Sequence, residues 1–167
     1  STTEFFAEKV HAKGDMEKWK EVFNLYAMKG MEPHAFGALT AFGSPLMKFT
    51  GLKGAIINVI YEYAGTGKST ILRMCNSVYG MPYELMSIEK DTLNAKMQQL
   101  GVMNNLPNTI DEITNMLPND FSDMAYGISH GRGKNRSMSQ VNALRVNNTS
   151  WQNMTLCSAN ASFYEKL

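Results

Sequence analysis

Ala55-Ile56-Ile57-Asn58-Val59-Ile60-Tyr61-Glu62-Tyr63-Ala64-Gly65-Thr66-Gly67-Lys68-Ser69-Thr70 decides the fold. Residues 55–61 are short, rich in β-branched side chains and nearly all apolar, as expected of a strand covered on both faces. A glycine loop follows, and residues 68–79 then read as a helix that stops at Gly80. Strand, glycine loop and helix in that order form the setting of a phosphate loop. Glycines let backbone N–H groups turn inward around an anion, and the helix N-terminus adds its positive end. Lys68 is placed to reach the β- and γ-phosphates of a nucleotide, and the Ser69 hydroxyl to ligate Mg²⁺. Ala64, Gly65, Thr66, Gly67, Lys68, Ser69 and Thr70 are therefore the candidate nucleotide-binding residues. The competing reading is a strand-to-helix turn with a fortuitous Lys-Ser. Glu62 stands where the full signature has glycine, so its carboxylate is expected to point away from the cradle.

Downstream, strand and helix alternate. Residues 83–88 are a second strand candidate, 91–103 a helix with Leu93, Met97 and Leu100 on one face, and 106–110 a third strand entered through Pro107. Residues 120–129 read as a helix with Phe121, Met124, Ala125 and Ile128 in register, and 154–158 as the last strand. The polar stretch 131–148 reads as a loop or hairpin. This order predicts an α/β class with a largely parallel sheet flanked by helices. Upstream, residues 1–50 predict a helical subregion. Asp15 can cap a helix carrying Trp19, Val22, Phe23 and Tyr26, with Gly30 past its end. Residues 34–42 continue helically, and Ser44-Pro45 looks like a fresh N-cap. Residues 51–167 then form the P-loop core.

Two carboxylates, Asp111 and Glu112, close the third strand. Beside a phosphate loop, the first is the Mg²⁺ ligand, usually through water, and the second the base that polarises the attacking water. On its own such a pair is more often a helix start. Asn160 ends the last strand, placed to hydrogen-bond a γ-phosphate or the lytic water; otherwise it is a turn residue. Arg132, Lys134 and Arg136 lie among glycine and asparagine, with Arg145 beyond. They form a solvated loop, or supply an arginine finger to a neighbour's γ-phosphate, or contact nucleic-acid phosphates.

Composition narrows the class further. The 167 residues are 44% hydrophobic and carry a net charge of +1, which fits one globular core and excludes a globally basic nucleic-acid coat. Cys75 and Cys157 sit in apolar neighbourhoods and read as buried hydrophobes in a reducing compartment. His11, His34 and His130 are isolated, so no zinc-ligand spacing exists. No apolar run reaches the roughly 20 residues that span a bilayer, and Ser1-Thr2-Thr3-Glu4 does not read as a signal peptide. The 13 methionines read as adaptable core filler.

With these segments in hand, the chain resembles the phage and prophage replication ATPases of the superfamily-three helicase and AAA+ type. It looks closest to the helicase-like domain of phage primase-polymerase proteins and a related uncharacterised prophage family. The resemblance runs from Trp19 to Asn160. It rests on Leu39-Thr40-Ala41-Phe42-Gly43-Ser44-Pro45-Leu46, on Gly65-Thr66-Gly67-Lys68-Ser69 as Walker A, and on Thr92-Leu93-Asn94-Ala95. Asp111-Glu112 as Walker B, Gly131-Arg132-Gly133-Lys134-Asn135-Arg136, and Asn160 at the sensor position complete it. The resemblance implies a domain that binds ATP and Mg²⁺ and hydrolyses ATP at the subunit interface of a homo-oligomeric ring threading single-stranded DNA. It implies a cytoplasmic location, that of a bacterial host if the protein is phage-encoded. Ring ATPases continue beyond this sensor, so the core is expected to be C-terminally incomplete, with weak DNA binding and little activity by itself. Two alternatives remain: a P-loop small-molecule kinase, and a non-catalytic nucleotide-binding interaction module.

Overall fold

The computed structural model describes residues 2–133, 136–137, 144–145 and 149–162. Parallel strands β1 (Gly54–Ile60), β2 (Met86–Ile88), β3 (Asn108–Asp111) and β6 (Asn153–Ala159) form one sheet in the order β1-β6-β3-β2. The last strand in sequence is thus inserted between the first and the third. It is also the most buried strand, while β1 pairs only with β6 among the described residues. The expected strand at 55–61 is present, and both its faces are covered. Ile56 packs toward one core and Ile57 and Val59 toward the other, yet its outer edge leaves it only half-buried.

Period-two alternation distributes the sheet's side chains between two layers. Leu156 points into a core with Ile71, Leu72, Cys75 and Ala41, from helices α3 (Glu32–Gly43) and α4 (Lys68–Ser77). Cys157 points to the opposite face, where Leu100 from α5 (Leu93–Met103) and Phe121, Met124 and Ile128 from α6 (Pro118–His130) pack with Trp151. Emptying such a site, as in Leu156→Ala, typically costs about 2–5 kcal/mol. Both cysteines are buried and free, as their neighbourhoods predicted, and burial pushes the Cys75 and Cys157 thiols up to about 11 and about 12. Close approach of α3 to α4 requires Gly37, because a Cβ there would lie 2.5 Å from Ile71 Cγ2.

The N-terminal region is helical, as expected. It adds a short α1 (Thr2–Ala7) that the pattern did not signal, before α2 (Met16–Asn24). Asp15 caps α2 by accepting the Lys18 N–H at 2.9 Å. Trp19, Phe23 and Tyr26 seat this region on Ala38 and Met74, whereas Val22 is half exposed. Ser44 is not an N-cap. It opens a 3-10 turn (Ser44–Phe49), donates to the Asn105 carbonyl at 3.0 Å and accepts the Met154 N–H at 3.0 Å, so its hydroxyl ties this turn to β6. The α5 helix begins later than expected. Thr92 caps it, while Asp91 accepts the Ile88 N–H and closes the preceding turn. The second strand is shorter than expected, three residues of the six, because Met81 to Leu85 is taken up by a turn. A hairpin does follow α6, with β4 (Arg136–Ser137) antiparallel to β5 (Leu144–Arg145). No helix among the described residues is long and apolar enough to cross a membrane.

Candidate functional site

Because all four strands are parallel, their carboxyl ends share one edge of the sheet, where ligands of such folds bind. Three strand ends meet there. After β1 the glycine loop turns through Gly65 (φ 75°) and Gly67 (φ 90°), left-handed conformations that favour glycine. Gly67 occupies the N-cap position of α4 and supplies no side-chain cap, so the amides of the first helical turn face the loop without a side-chain acceptor. Lys68 Nζ lies across the mouth, donating to the Tyr61 and Tyr63 carbonyls at 2.8 Å each. Among the described residues the ammonium is paired with neutral oxygens and no carboxylate, and it can exchange them for a stronger anion. Glu62 is exposed, pointing into solvent as its carboxylate chemistry demanded. Ala64 and Gly65 of the loop and Thr70 of α4 are exposed, and Thr66 Oγ1 donates to the Tyr63 carbonyl at 3.3 Å.

From the other two strands come the acids. Register pairs Ile110 with Cys157, which sets Asp111 beside Ser158. Asp111 Oδ1 accepts two hydroxyls, Ser69 at 2.8 Å and Ser158 at 2.7 Å. Ser158 Oγ in turn accepts the Glu112 N–H at 2.8 Å. Glu112 has φ 56°, a left-handed conformation that a non-glycine residue adopts at some cost and that is concentrated at functional sites. Its carboxylate is held at both oxygens, Oε1 by the Thr114 N–H at 3.1 Å and Oε2 by the Asn160 side-chain amide at 3.3 Å. The Asn160 backbone N–H donates to Thr114 Oγ1 at 2.7 Å, closing a ring of contacts. The fold thus gathers Lys68, Ser69, Asp111, Glu112 and Asn160, far apart in sequence, at one sheet edge.

Hard oxygen donors are what Mg²⁺ selects, and it typically keeps waters and phosphate oxygens beside one or two protein ligands. One carboxylate and one hydroxyl in contact fit that pattern. No cluster of three His, Cys, Asp or Glu able to hold a metal by protein ligands alone occurs among the described residues.

Arg132 is not part of this cluster. Arg132 follows α6 and bridges to Ser150, just before β6, so it lies at the amino edge of the sheet, opposite the glycine loop. Arg136 is in β4 of the hairpin, and Lys134 falls outside the described residues.

Three contributors were not legible from the sequence. Ser158 was visible only as a strand residue; its contact with Asp111 follows from the strand order, which no local pattern encodes. Thr114 belongs to no motif or periodic pattern. His34, from α3, donates Nε2–H to the Thr66 carbonyl at 3.0 Å, and a Cβ at Gly67 would lie 3.2 Å from the same nitrogen. Tyr26 stacks on its ring, with centroids 6.2 Å apart. The N-terminal helices therefore touch the glycine loop through one imidazole.

A family model described as "Domain of unknown function (DUF927)" matches residues 1–148. Among curated proteins none matches. Of solved structures, the chain is similar to one titled "SCCmec type IV Cch - active helicase", with a TM-score of 0.62 and 21% identity over 92% of this chain. The match spans 28% of that longer chain, and at this identity it shows a shared fold.

Proposed function

The chain belongs to the DUF927 family, and we propose that it is the ATP-binding and ATP-hydrolysing motor module of a replicative-type DNA helicase. Most support comes from one observation: Ser69 at the start of α4, Asp111 at the end of β3 and Ser158 at the end of β6 share one carboxylate oxygen. The fold shared with a helicase is in keeping with it. In this reading residues 51–167 are the nucleotide-binding core and residues 1–50 a helical subregion that braces the loop through His34.

The glycine-loop amides and Lys68 would bind the phosphates of ATP, and Ser69 and Asp111 would hold Mg²⁺. That ion would supply charge neutralisation at the phosphates. Lys68 Nζ gives up the Tyr61 and Tyr63 carbonyls for phosphate oxygens. Glu112 accepts a proton from the attacking water, and the Asn160 amide fixes the carboxylate's orientation. Positioning of this kind, rather than covalent chemistry, is what phosphoryl transfer asks of a protein.

Arg132 and Arg136 are assigned to contacts outside their own protomer's site, with a neighbour's nucleotide or with single-stranded DNA, in a homo-oligomeric ring. The test is hydrolysis by the assembled protein with and without single-stranded DNA. Stimulation by the strand is expected. Brisk turnover indifferent to DNA, with phosphate passed to a small-molecule acceptor, would move the assignment to a kinase.

A further inference from the structure

The amino edge of the sheet carries a second concave site, of about 290 Å³, lined by Lys53, Asn104, His130, Arg132, Ser150 and Gln152 among others. Its construction follows from the chain ends that meet there. Lys53 precedes β1, Ser150 and Gln152 precede β6, and His130 and Arg132 flank the C-terminus of α6. Gly131 (φ 66°) makes the close approach: a Cβ there would lie 2.8 Å from both Lys53 Cβ and the Trp151 carbonyl. The Arg132–Ser150 bridge then pins the backbone.

Three ionisable basic side chains share this cleft, and among the described residues its lining includes no carboxylate. Neither Lys53 nor Arg132 has an acidic partner among the described residues. Beside it stands a flat aromatic pair. The His130 ring stacks on Tyr126 with centroids 3.8 Å apart, and its Nδ1–H donates to the Tyr126 carbonyl at 3.0 Å. Tyr126 is 60% exposed, and neither ring is part of a hydrophobic core.

We infer that this cleft is a binding site for a single strand of nucleic acid, with a backbone phosphate between Lys53 and Arg132 and an unpaired base against the Tyr126–His130 pair. Uncompensated cations beside an exposed π-face are the two components of sequence-tolerant single-strand recognition. A duplex is disfavoured, because its base faces are already stacked and offer the platform nothing. The inference deepens the helicase-type reading by naming a strand contact, but it does not require the nucleotide site to function.

The test is fluorescence anisotropy of a short labelled oligothymidylate with the full chain, without nucleotide, across a salt series. Wild type binds, with affinity falling as salt rises. Lys53→Glu weakens binding about tenfold and makes the log-log salt slope shallower by about one. Tyr126→Ala weakens it about tenfold with the slope unchanged, and Tyr126→Phe binds as wild type. Both positions are exposed, and an unchanged melting temperature checks the fold of each variant. Lys68→Ala, altered only at the other edge, binds the oligonucleotide as wild type, so loss of the nucleotide reading leaves this result standing. The inference is overturned if wild type does not bind, or if Lys53→Glu and Tyr126→Ala bind as tightly as wild type. Equal competition by a duplex of the same length, or by polyglutamate, overturns it as well.

Discussion

The two edges of one parallel sheet hold opposite chemistry. At the carboxyl edge the acids and hydroxyls are tightly partnered, Asp111 by two hydroxyls and Glu112 at both carboxylate oxygens. At the amino edge Lys53 and Arg132 face a cleft whose lining, among the described residues, holds no carboxylate. Parallel pairing is what separates them: every strand sends its end to the same side, so residues that follow strands converge on one edge and residues that precede them on the other. The preorganised edge suits a reaction, in which groups must be fixed before the transition state. The loosely held basic edge suits a long, variable polyanion.

The sharpest way to break the contrast is at the carboxyl edge. Glu112→Gln keeps the shape and one accepting oxygen for the Thr114 N–H, turns the oxygen facing Asn160 into an N–H donor that the Asn160 amide must flip to accept, and cannot take the water's proton. Turnover in the assembled protein should fall about 10²- to 10⁴-fold with nucleotide affinity retained, as measured by steady-state hydrolysis beside equilibrium binding. Wild-type turnover in this variant would remove Glu112 from the role of base.

Ser158→Ala should have a smaller and mixed effect. It deprives Asp111 of one hydroxyl donor and leaves the Glu112 N–H without its acceptor. Loss of a hydrogen bond to a charged group predicts about 2 kcal/mol lower stability in denaturant titration. The Mg²⁺ dependence of nucleotide binding should weaken as well, because Asp111 is less well oriented. A stability loss with unchanged Mg²⁺ dependence would make Ser158 purely structural.

The smallest expected change is His34→Ala, which releases the Thr66 carbonyl. Nucleotide affinity should drop about threefold, in line with one neutral hydrogen bond, and His34→Gln should restore part of it by offering another N–H donor. Equal affinities across the three proteins would mean that the N-terminal helices do not brace the loop.

How much of this was legible in the sequence depended on the range of the interaction. The β1–loop–α4 unit could be read because strand texture, paired glycines and Lys-Ser are contiguous, and local geometry follows from local composition. The acids and Asn160 could be placed at strand ends, and a parallel sheet then puts them on one edge. The insertion of β6 between β1 and β3 could not be read, because strand order is settled by packing over the whole chain. Ser158, Thr114 and the amino-edge cleft all depend on that order. Ser44 shows the same limit in reverse: its local pattern matched a helix cap, but a tertiary partner, the Met154 N–H, claimed the hydroxyl.

The most direct test of the carboxyl edge as an Mg²⁺–nucleotide site is calorimetric titration of ATP into the chain, in Mg²⁺ and again in excess chelator, with wild type and Lys68→Ala. Saturable binding is expected for wild type, tighter with Mg²⁺ than without. For Lys68→Ala, which loses charge-assisted hydrogen bonds to phosphate, affinity should be weaker by about a hundredfold. No saturable binding by wild type, or equal affinities for the two proteins with and without the ion, would contradict the assignment of the glycine loop and of Ser69 and Asp111 together.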